Sequence, residues 1–299
     1  MLHRRLISSA IVITTVLLLT WLDFWIGQAY SRTGCVLAVV LLSLGLLGGE
    51  ELRRMVPPGP QRPRWPIIAI AIVLAVMPSC VGVFFPDWAA TSPLGLTGTS
   101  LVGWAAALGW AFLSSMIPYR PESQSLDRAQ RILLIALYIG MLSFLAHLRF
   151  FGGNVWGLVA LFSLIVTVKM SDSFAYLVGR AVGRRKLTPQ LSPGKTVEGA
   201  AAALVFGILG SLLVLFPIAY LVTGTIGHTT FLGAVVYGIV VTIVGIWGDL
   251  VESFIKRESN FKDSGALIPG MGGILDVIDS ILGAAPVAYL LWGAGLVGP

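Results

Sequence analysis

A run of charged and hydroxyl residues between two apolar stretches, near the end of the chain, has the residue types needed for phosphate chemistry. It reads GDLVESFIKRESNFKDSGALIPGMGGILDVIDS over residues 248–280. If the preceding helix continues, five side chains recur at i, i+3, i+4, i+7 and i+8 and share one face. They are Asp249, Glu252, Ser253, Lys256 and Arg257. Asp276 and Asp279 share a face in the same way where the last apolar stretch begins.

Carboxylates alternate with cations in this run, which suits a nucleoside triphosphate as ligand. Asp oxygens hold Mg²⁺, and one or two such ions can clamp the attacking and leaving oxygens of an in-line displacement. Lys and Arg neutralise the remaining phosphate charge. The Gly-Pro-rich stretch 265–273 lets the backbone approach a ligand closely. The alternative that position alone leaves open is a loop of solvated charges beside two helices.

A second polar segment, residues 171–200, reads SDSFAYLVGRAVGRRKLTPQLSPGKTVEGA. Its Gly-Lys-Thr suggests a Walker A loop, but that pattern requires Gly where this chain has Pro189, and a preceding strand. We expect no strand there and reject the Walker A interpretation. We predict instead a basic phosphate-binding loop around Ser192, Gly194 and Lys195, flanked by Asp172 at the end of a membrane span.

The elements that position these residues are membrane helices. Hydrophobic residues make up 56% of the 299 residues, charged residues only 11%, and the mean hydropathy is +0.88. Soluble domains are about 25% charged, so this chain has too few charged residues to cover the water-facing surface of a soluble domain. Cys35 and Cys80 lie in apolar stretches and form no zinc or disulfide pattern.

Stretches of about 20 apolar residues, the length that crosses a bilayer, predict an all-α polytopic bundle of about nine helices. We place the spans at 6–26, 34–49, 66–85, 101–118, 131–148, 155–171, 200–223, 231–248 and 279–297. The N-terminus is expected in the cytoplasm, with the first span retained and not cleaved as a signal peptide. An odd number of spans then puts the C-terminus outside.

The distribution of basic residues supports this orientation. All but two of the 20 Lys and Arg residues fall in predicted cytoplasmic segments, the exceptions being Arg32 and Arg149. Positive charge concentrates on the cytoplasmic side of membrane proteins, so the pI near 9.6 and the net charge of +6 do not indicate a nucleic-acid partner. We assign Arg180, Arg184, Arg185 and Lys186 to the same anchoring role.

The polar content divides the chain into two regions. Residues 1–130 are expected to hold about four spans, with a cytoplasmic Pro/Arg linker at 50–65 and an external loop at 86–100. Residues 131–299 are expected to hold about five spans and the catalytic residues. Both polar segments described above lie in this second region.

The polar segments resemble the phosphatidate cytidylyltransferase family. Its signature runs S-x-x-K-R-x4-K-D-x-G-x-x-x-P-G-H-G-G-x-x-D-R-x-D, preceded by Gly-Asp, and this chain matches it without insertion. The matching residues are Gly248, Asp249, Ser253, Lys256, Arg257, Lys262, Asp263, Gly265, Pro269, Gly270, Gly272, Gly273, Asp276 and Asp279. Met271 and Val277 depart from the signature, where the family has His and Arg.

The earlier segment resembles the family's D-x-x-A-Y…G…S-P-G-K-T-x-E-G. The matches are Asp172, Ala175, Tyr176, Ser192, Pro193, Gly194, Lys195, Thr196, Glu198 and Gly199. The resemblance covers roughly residues 169–299 with motifs, while the spans before it are similar only in kind.

The resemblance implies transfer of CMP from CTP to phosphatidic acid, giving CDP-diacylglycerol and pyrophosphate, in a multi-pass protein of the bacterial inner membrane. It assigns the metal, Mg²⁺ with a second ion as an option, to Asp249, Asp276 and Asp279. The catalytic assignments are Lys256, Arg257, Lys262 and Asp263. Substrate binding is assigned to Asp172, Ser192, Lys195, Ser253, Gly270, Gly272 and Gly273. The oligomeric state stays open, a homodimer included.

Three other functions remain compatible with these residues. A lipid or polyprenol kinase that uses CTP would need the same metal and cations, but it would release CDP in place of pyrophosphate. A transporter would use intramembrane charges to bind its substrate, although the polar residues here cluster on one side. The third is a family member that has lost catalysis through Met271 and Val277.

Overall fold

The computed structural model describes residues 2–85, 95–118 and 124–299. Its helices are α1 (Leu2–Tyr30), α2 (Cys35–Met55), α3 (Trp65–Val76), α4 (Val81–Phe84), α5 (Gly95–Met116), α6 (Ser125–Gly140), α7 (Ser143–Arg149), α8 (Gly153–Val182), α9 (Val197–Leu213), α10 (Ala219–Thr223), α11 (Phe231–Glu258) and α12 (Leu275–Gly293). A 3₁₀ turn joins α3 to α4 (Met77–Cys80), and a π-helical turn around Pro217 joins α9 to α10 (Val214–Ile218). The strands are β1 (Lys186–Thr188) and β2 (Ser192–Thr196).

The all-α polytopic membrane fold is confirmed. Nine helical segments in the described ranges are long and apolar enough to cross a bilayer, and each overlaps one predicted span. They are Ala10–Tyr30, Cys35–Met55, Trp65–Phe84, Thr97–Met116, Ser125–Arg149, Gly153–Val182, Val197–Thr223, Phe231–Glu258 and Leu275–Gly293.

Two helices of the polar region are longer than predicted. The sixth span continues from residue 171 to Val182, so Asp172 lies within α8 and not at its end. The eighth continues from residue 248 to Glu258, as the spacing of its charges required. At 1.5 Å per residue α8 and α11 are about 45 and 42 Å long, which exceeds the roughly 30 Å hydrocarbon core. Their polar ends can therefore project beyond it.

The linker predicted at 50–65 begins later than expected. Its first residues extend α2 to Met55, and the Glu50 carboxylate pairs there with Arg53 (2.6 Å) and Arg54 (2.7 Å). Val56 then adopts an extended conformation before a proline, as steric contact with the proline ring favours. The segment without helix is therefore 56–64.

The predicted phosphate-binding loop is a β-hairpin. β1 and β2 pair antiparallel, with Lys186 opposite Thr196 and Thr188 opposite Ser192. The expectation that no strand precedes Gly-Lys-Thr was wrong, because β1 does. The Walker A interpretation is still rejected, because Pro189 stands where that pattern requires Gly and because Gly194 and Lys195 lie on a strand and not in a loop.

The described residues form two compact units. The first comprises 1–147 and 259–277, and the second comprises 148–258 and 278–299. In the first, α3 packs against α2, α5 and α6 around fully buried side chains that include Leu41, Ile68, Ile72, Ile132 and Ile139. The boundary at residue 130 rests on where the candidate site residues lie in the sequence, and it remains a prediction.

In the second unit α9 packs along both α8 and α11. A buried hydroxyl joins three helices there: Ser163 Oγ of α8 lies 2.8 Å from Tyr237 Oη of α11 and accepts from Trp292 Nε1 of α12 at 3.2 Å. An unpaired polar group in hydrocarbon costs several kcal/mol, so this network favours one arrangement of the three helices. All three carry residues of the polar region.

The orientation of the termini remains a prediction. Arg120 lies in the range 119–123, and most of the predicted external loop lies in the range 86–94; both ranges are outside the described residues. We expect a C-terminal green fluorescent protein, which fluoresces only in the cytoplasm, to stay dark after Pro299, because nine spans from an internal N-terminus end outside. The same reporter inserted after Asn260 should fluoresce. Bright C-terminal fluorescence would contradict the nine-span topology.

Candidate active site

The face of α11 predicted from spacing forms in the second unit. The buried Glu252 carboxylate, 1% exposed, pairs with Lys256 Nζ at 2.5 Å. Ser253, also buried, donates to Asp249 Oδ1 at 3.4 Å. The next residue on this face, Arg257, is exposed and donates from Nε to Leu191 O at 3.4 Å. A buried, paired carboxylate does not fit a loop of solvated charges.

The β-hairpin brings a second cation to this face. Lys195 Nζ lies 2.9 Å from Asp249 Oδ2 and 3.2 Å from Ile246 O, both on α11. The strand is fixed at its end because Thr196 caps α9, its Oγ1 accepting from Gly199 N at 3.1 Å. A side-chain acceptor at this position typically contributes about 1 kcal/mol.

The residues just before β1 are fixed by Glu198 in the first turn of α9. Its carboxylate accepts from Arg184 N at 3.0 Å and from Arg185 N at 3.3 Å. A negative charge near a helix N-terminus is also favoured by the helix dipole. The segment S-P-G-K-T-x-E-G therefore acts as one folded unit that aims Lys195 at Asp249.

Two further carboxylates approach from neighbouring helices. Side-chain oxygens of Asp249, Glu252 and Asp279 all lie within 4.8 Å of one another. Asp279, on α12, is 6% exposed and within electrostatic range of Asp172 and Lys169 on α8. Lys169 Nζ and Asp172 Oδ2 are 3.9 Å apart. The described residues of this unit thus gather four carboxylates and three ammonium groups.

This acidic group could hold a metal ion. Carboxylate oxygens are the ligands of hard cations, and Mg–O distances of about 2.0–2.1 Å place two oxygens on one ion at most about 4.2 Å apart. The spacing of up to 4.8 Å meets that limit after small side-chain movements, or with water as one ligand. The three carboxylates therefore fit a divalent cation.

The signature loop belongs to the first unit, where it surrounds Asp276. The Oδ2 atom of Asp276 accepts from Ser264 N (2.9 Å), Ser264 Oγ (2.8 Å) and Gly273 N (2.7 Å). Two backbone N–H donors and a hydroxyl within hydrogen-bond distance of one oxygen fix the orientation of the carboxylate. Gly272 has a φ of 103°, and a Cβ on it would overlap Asp276 Oδ2, so only glycine fits.

The remaining predicted residues also have defined places. Gly270 has a φ of 80° in the tight turn between Ile268 and Gly272, which includes Met271. Lys262 and Asp263 are exposed on the same loop, and Ser192 is half-buried in β2. Asp249 and Asp276 belong to different units, so a shared metal centre stays a prediction.

Sequence reasoning missed two residues of these groups. Glu252 was recognised on the charged face but not assigned as a ligand, although its i+3 position after Asp249 was a usable signal. Glu51, whose carboxylate accepts from Ser264 Oγ, falls in the segment predicted as a Pro/Arg linker, and no local pattern marks it.

The chain is similar to known cytidylyltransferases over much of its length. The profile of the cytidylyltransferase family matches residues 3–294. A phosphatidate cytidylyltransferase of Bacillus subtilis is 41% identical over 169 residues, which cover 55% of this chain and 58% of that protein. One of Haemophilus influenzae is 40% identical over 44% of each chain, and one of Staphylococcus haemolyticus is 29% identical over 75% and 76%. The first two matches therefore span only about half of those relatives' length.

The profile covers nearly the whole chain, including the long N-terminal region for which the motifs gave no specific match. Residues matched to the family's signature also belong to both polar groups described above, the one around Asp249 in the second unit and the one around Asp276 in the first. On this evidence the chain is a member of the cytidylyltransferase family.

Proposed function

We propose that the chain transfers CMP from CTP to phosphatidic acid, forming CDP-diacylglycerol and pyrophosphate. The observation that carries the proposal is the group of Asp249, Glu252 and Asp279 with Lys195 and Lys256 at the polar ends of membrane helices. A charged nucleotide and a membrane lipid can both reach such a position. The names of the relatives agree with this reaction.

In this reaction an oxygen of the phosphatidic acid phosphate forms a bond to the α-phosphorus of CTP. The bond from that phosphorus to the bridging oxygen breaks, and pyrophosphate leaves with the electron pair. Bound Mg²⁺, with a second ion as an option, would supply charge neutralisation for the attacking and leaving oxygens. Asp249, Glu252 and Asp279 would hold it, with Asp276 as a further ligand.

The cations of the site would bind the phosphates. Lys195 pairs with Asp249 in this structure and would donate to the triphosphate once a metal ion takes up the Asp249 charge. Arg257 and Lys262 are exposed and would meet the nucleotide from water. Ser192, Ser253 and Asp172 would complete the polar lining.

The setting follows from the membrane fold. CTP would enter from the cytoplasm, which the distribution of basic residues predicts for the polar helix ends, and the lipid would enter sideways from the bilayer. We accordingly assign the protein to the plasma membrane of a bacterium.

The test is a product analysis with the purified chain in detergent, phosphatidic acid, Mg²⁺ and CTP labelled on the α-phosphate. We expect the label in a lipid product, CDP-diacylglycerol, and pyrophosphate in solution. Release of labelled CDP with an unlabelled phosphorylated lipid would identify a CTP-dependent kinase instead. No CTP turnover would contradict both reactions.

Met271 is expected to have little influence on the rate. The nucleophile is a phosphate monoester with a second pKa near 6, so near pH 7 it is mostly a dianion and needs no base. General acid–base catalysis contributes ~10²–10⁴-fold only where a proton must move. We therefore expect Met271→His to change the rate by less than about tenfold, or ~1.4 kcal/mol.

The same assay addresses the impaired-member alternative. Val277 removes one cation relative to the family pattern, but Lys195, Lys256 and Arg257 remain. A wild-type chain that makes no CDP-diacylglycerol, together with an active Met271→His, Val277→Arg double variant, would establish that alternative.

A further inference from the structure

A buried carboxylate of the N-terminal region contacts the signature loop. Glu51, near the end of α2, is 4% exposed. Its Oε1 accepts from Ile274 N at 2.9 Å, and its Oε2 accepts from Leu275 N and Ser264 Oγ, both at 3.0 Å. All of these residues belong to the first unit. Two backbone N–H donors, together with a hydroxyl that Glu51 shares with Asp276, satisfy a carboxylate that would otherwise be costly to bury.

The two backbone donors lie at the start of α12. The first N–H groups of a helix have no partner within it, and an acceptor side chain on the residue before the helix commonly supplies one. Here that residue is Ile274, which has no side-chain acceptor. Glu51, 223 residues away in the sequence, supplies the acceptor oxygens instead. Its negative charge is also favoured by the dipole of α12.

Glu51 also packs directly against the loop backbone. A Cβ on Gly273 would lie 2.5 Å from both Glu51 carboxylate oxygens, closer than side chains approach in proteins. The absence of a side chain at Gly273 therefore makes room for Glu51. The same Gly273 N donates to Asp276 Oδ2, so one residue touches both carboxylates.

The Ser264 hydroxyl forms a second link between the two carboxylates. Its oxygen lies 3.0 Å from Glu51 Oε2 and 2.8 Å from Asp276 Oδ2. A hydroxyl has one proton, so it donates to one carboxylate at a time. The position of Asp276 is thus tied to Glu51 through Ser264 and through Gly273.

We propose that Glu51 is a positioning residue of the active site, which holds the loop 264–275 so that the Asp276 carboxylate keeps the orientation that catalysis needs. The inference rests on the proposed function for the role of Asp276. It also assigns a task to the N-terminal spans, since α2 supplies the side chain that shapes the signature loop.

The test compares Glu51→Gln with Glu50→Gln on the same helix. Gln keeps the size of Glu51 but replaces one acceptor oxygen with an NH₂ group, which then faces an N–H or O–H donor. Partners that orient metal ligands are typically worth about 10–100-fold in metal affinity or activity. We expect Glu51→Gln to lower kcat and to raise the half-saturating Mg²⁺ concentration by about that factor, with KM for phosphatidic acid unchanged.

The control should leave these quantities alone. Among the described residues, the Glu50 carboxylate pairs with Arg53 and Arg54 of its own helix, and such pairs on a helix surface contribute little to stability. Glu50→Gln should stay within about twofold of the wild type. If Glu51→Gln loses activity only in proportion to its folded fraction, with wild-type Mg²⁺ dependence, the residue is merely structural and the proposal fails.

A second readout does not depend on activity. Amide hydrogen exchange of the metal-free protein should accelerate in peptides that contain Ile274 and Leu275 in Glu51→Gln, by about tenfold or more if a hydrogen bond worth ~1.5 kcal/mol is lost. Glu50→Gln should exchange like the wild type. Unchanged exchange in Glu51→Gln would overturn the positioning role even if the chain makes CDP-diacylglycerol. Accelerated exchange in a chain without that activity would support the contact and reject only the proposed function.

Discussion

Asp249→Asn is expected to lower the rate of CDP-diacylglycerol formation by at least about 10³-fold, because metal-assisted charge stabilisation contributes several kcal/mol to such reactions. Asn keeps the size of the side chain but removes the charge that a hard cation requires. The variant loses the ion pair between Asp249 and Lys195 (2.9 Å), but it also relieves the repulsion among three carboxylates that lie within 4.8 Å of one another. We therefore expect the thermal unfolding temperature in detergent to stay near the wild-type value or to rise.

The measurement is turnover of labelled CTP at saturating Mg²⁺, with Asp276→Asn as a second variant of the same expected effect. Asp127→Asn is the matched control, because Asp127 is exposed in the first turn of α6. The control should keep wild-type turnover. Near-normal turnover by both Asp249→Asn and Asp276→Asn would rule out their assignment to the metal.

Lys256→Met is expected to destabilise the protein by about 3–5 kcal/mol, the usual effect of removing one partner from a buried ion pair. Lys256 Nζ lies 2.5 Å from the Glu252 carboxylate, which is 1% exposed. Met keeps most of the aliphatic length but cannot neutralise that charge. The quantity to measure is the free energy of unfolding, or the melting temperature, of the purified protein in detergent.

The double variant Lys256→Met, Glu252→Gln separates stability from catalysis. Replacing both members of a buried pair is often neutral, so most of the stability should return. Turnover should nevertheless be low, because the double variant lacks the Glu252 carboxylate of the acidic group as well as the Lys256 cation. A double variant as unstable as Lys256→Met would show that the pair does not determine the effect, and a fully active one would exclude Glu252 as a metal ligand.

The features that sequence predicted well depend on local patterns. Hydropathy over about 20 residues located all nine spans, because crossing a bilayer is a property of each segment by itself. The i, i+3, i+4 spacing from Asp249 to Arg257 predicted the charged face of α11, since helical geometry fixes which side chains are neighbours. The helix ends were less accurate, because pairs such as Lys169–Asp172 let a helix continue through polar sequence.

The features that sequence missed depend on contacts between distant segments. The hairpin around Lys195 requires strand pairing and the Thr196 and Glu198 contacts, and none of these is visible in hydropathy. Glu51 lies beside Glu50 in the same charged run, yet one carboxylate pairs on its own helix while the other is buried against the signature loop. Nothing in the run EELRR distinguishes them, because Glu50 has a partner 3 residues away on its own helix, whereas the partner of Glu51 that is nearest in sequence is 213 residues away.

The contact between Glu51 and the signature loop also has a consequence for biosynthesis. Ribosomes add about 5–20 residues per second, so the 223 residues that separate Glu51 from Ile274 correspond to a wait of roughly 11–45 s. Throughout that interval α2 carries an acid whose two backbone donors, Ile274 N and Leu275 N, have not yet been translated. A carboxylate without hydrogen-bond donors in apolar surroundings is unfavourable, so the end of α2 should remain near water until Ile274 and Leu275 have been translated. The N-terminal spans can therefore complete their packing only after the signature loop has been synthesised.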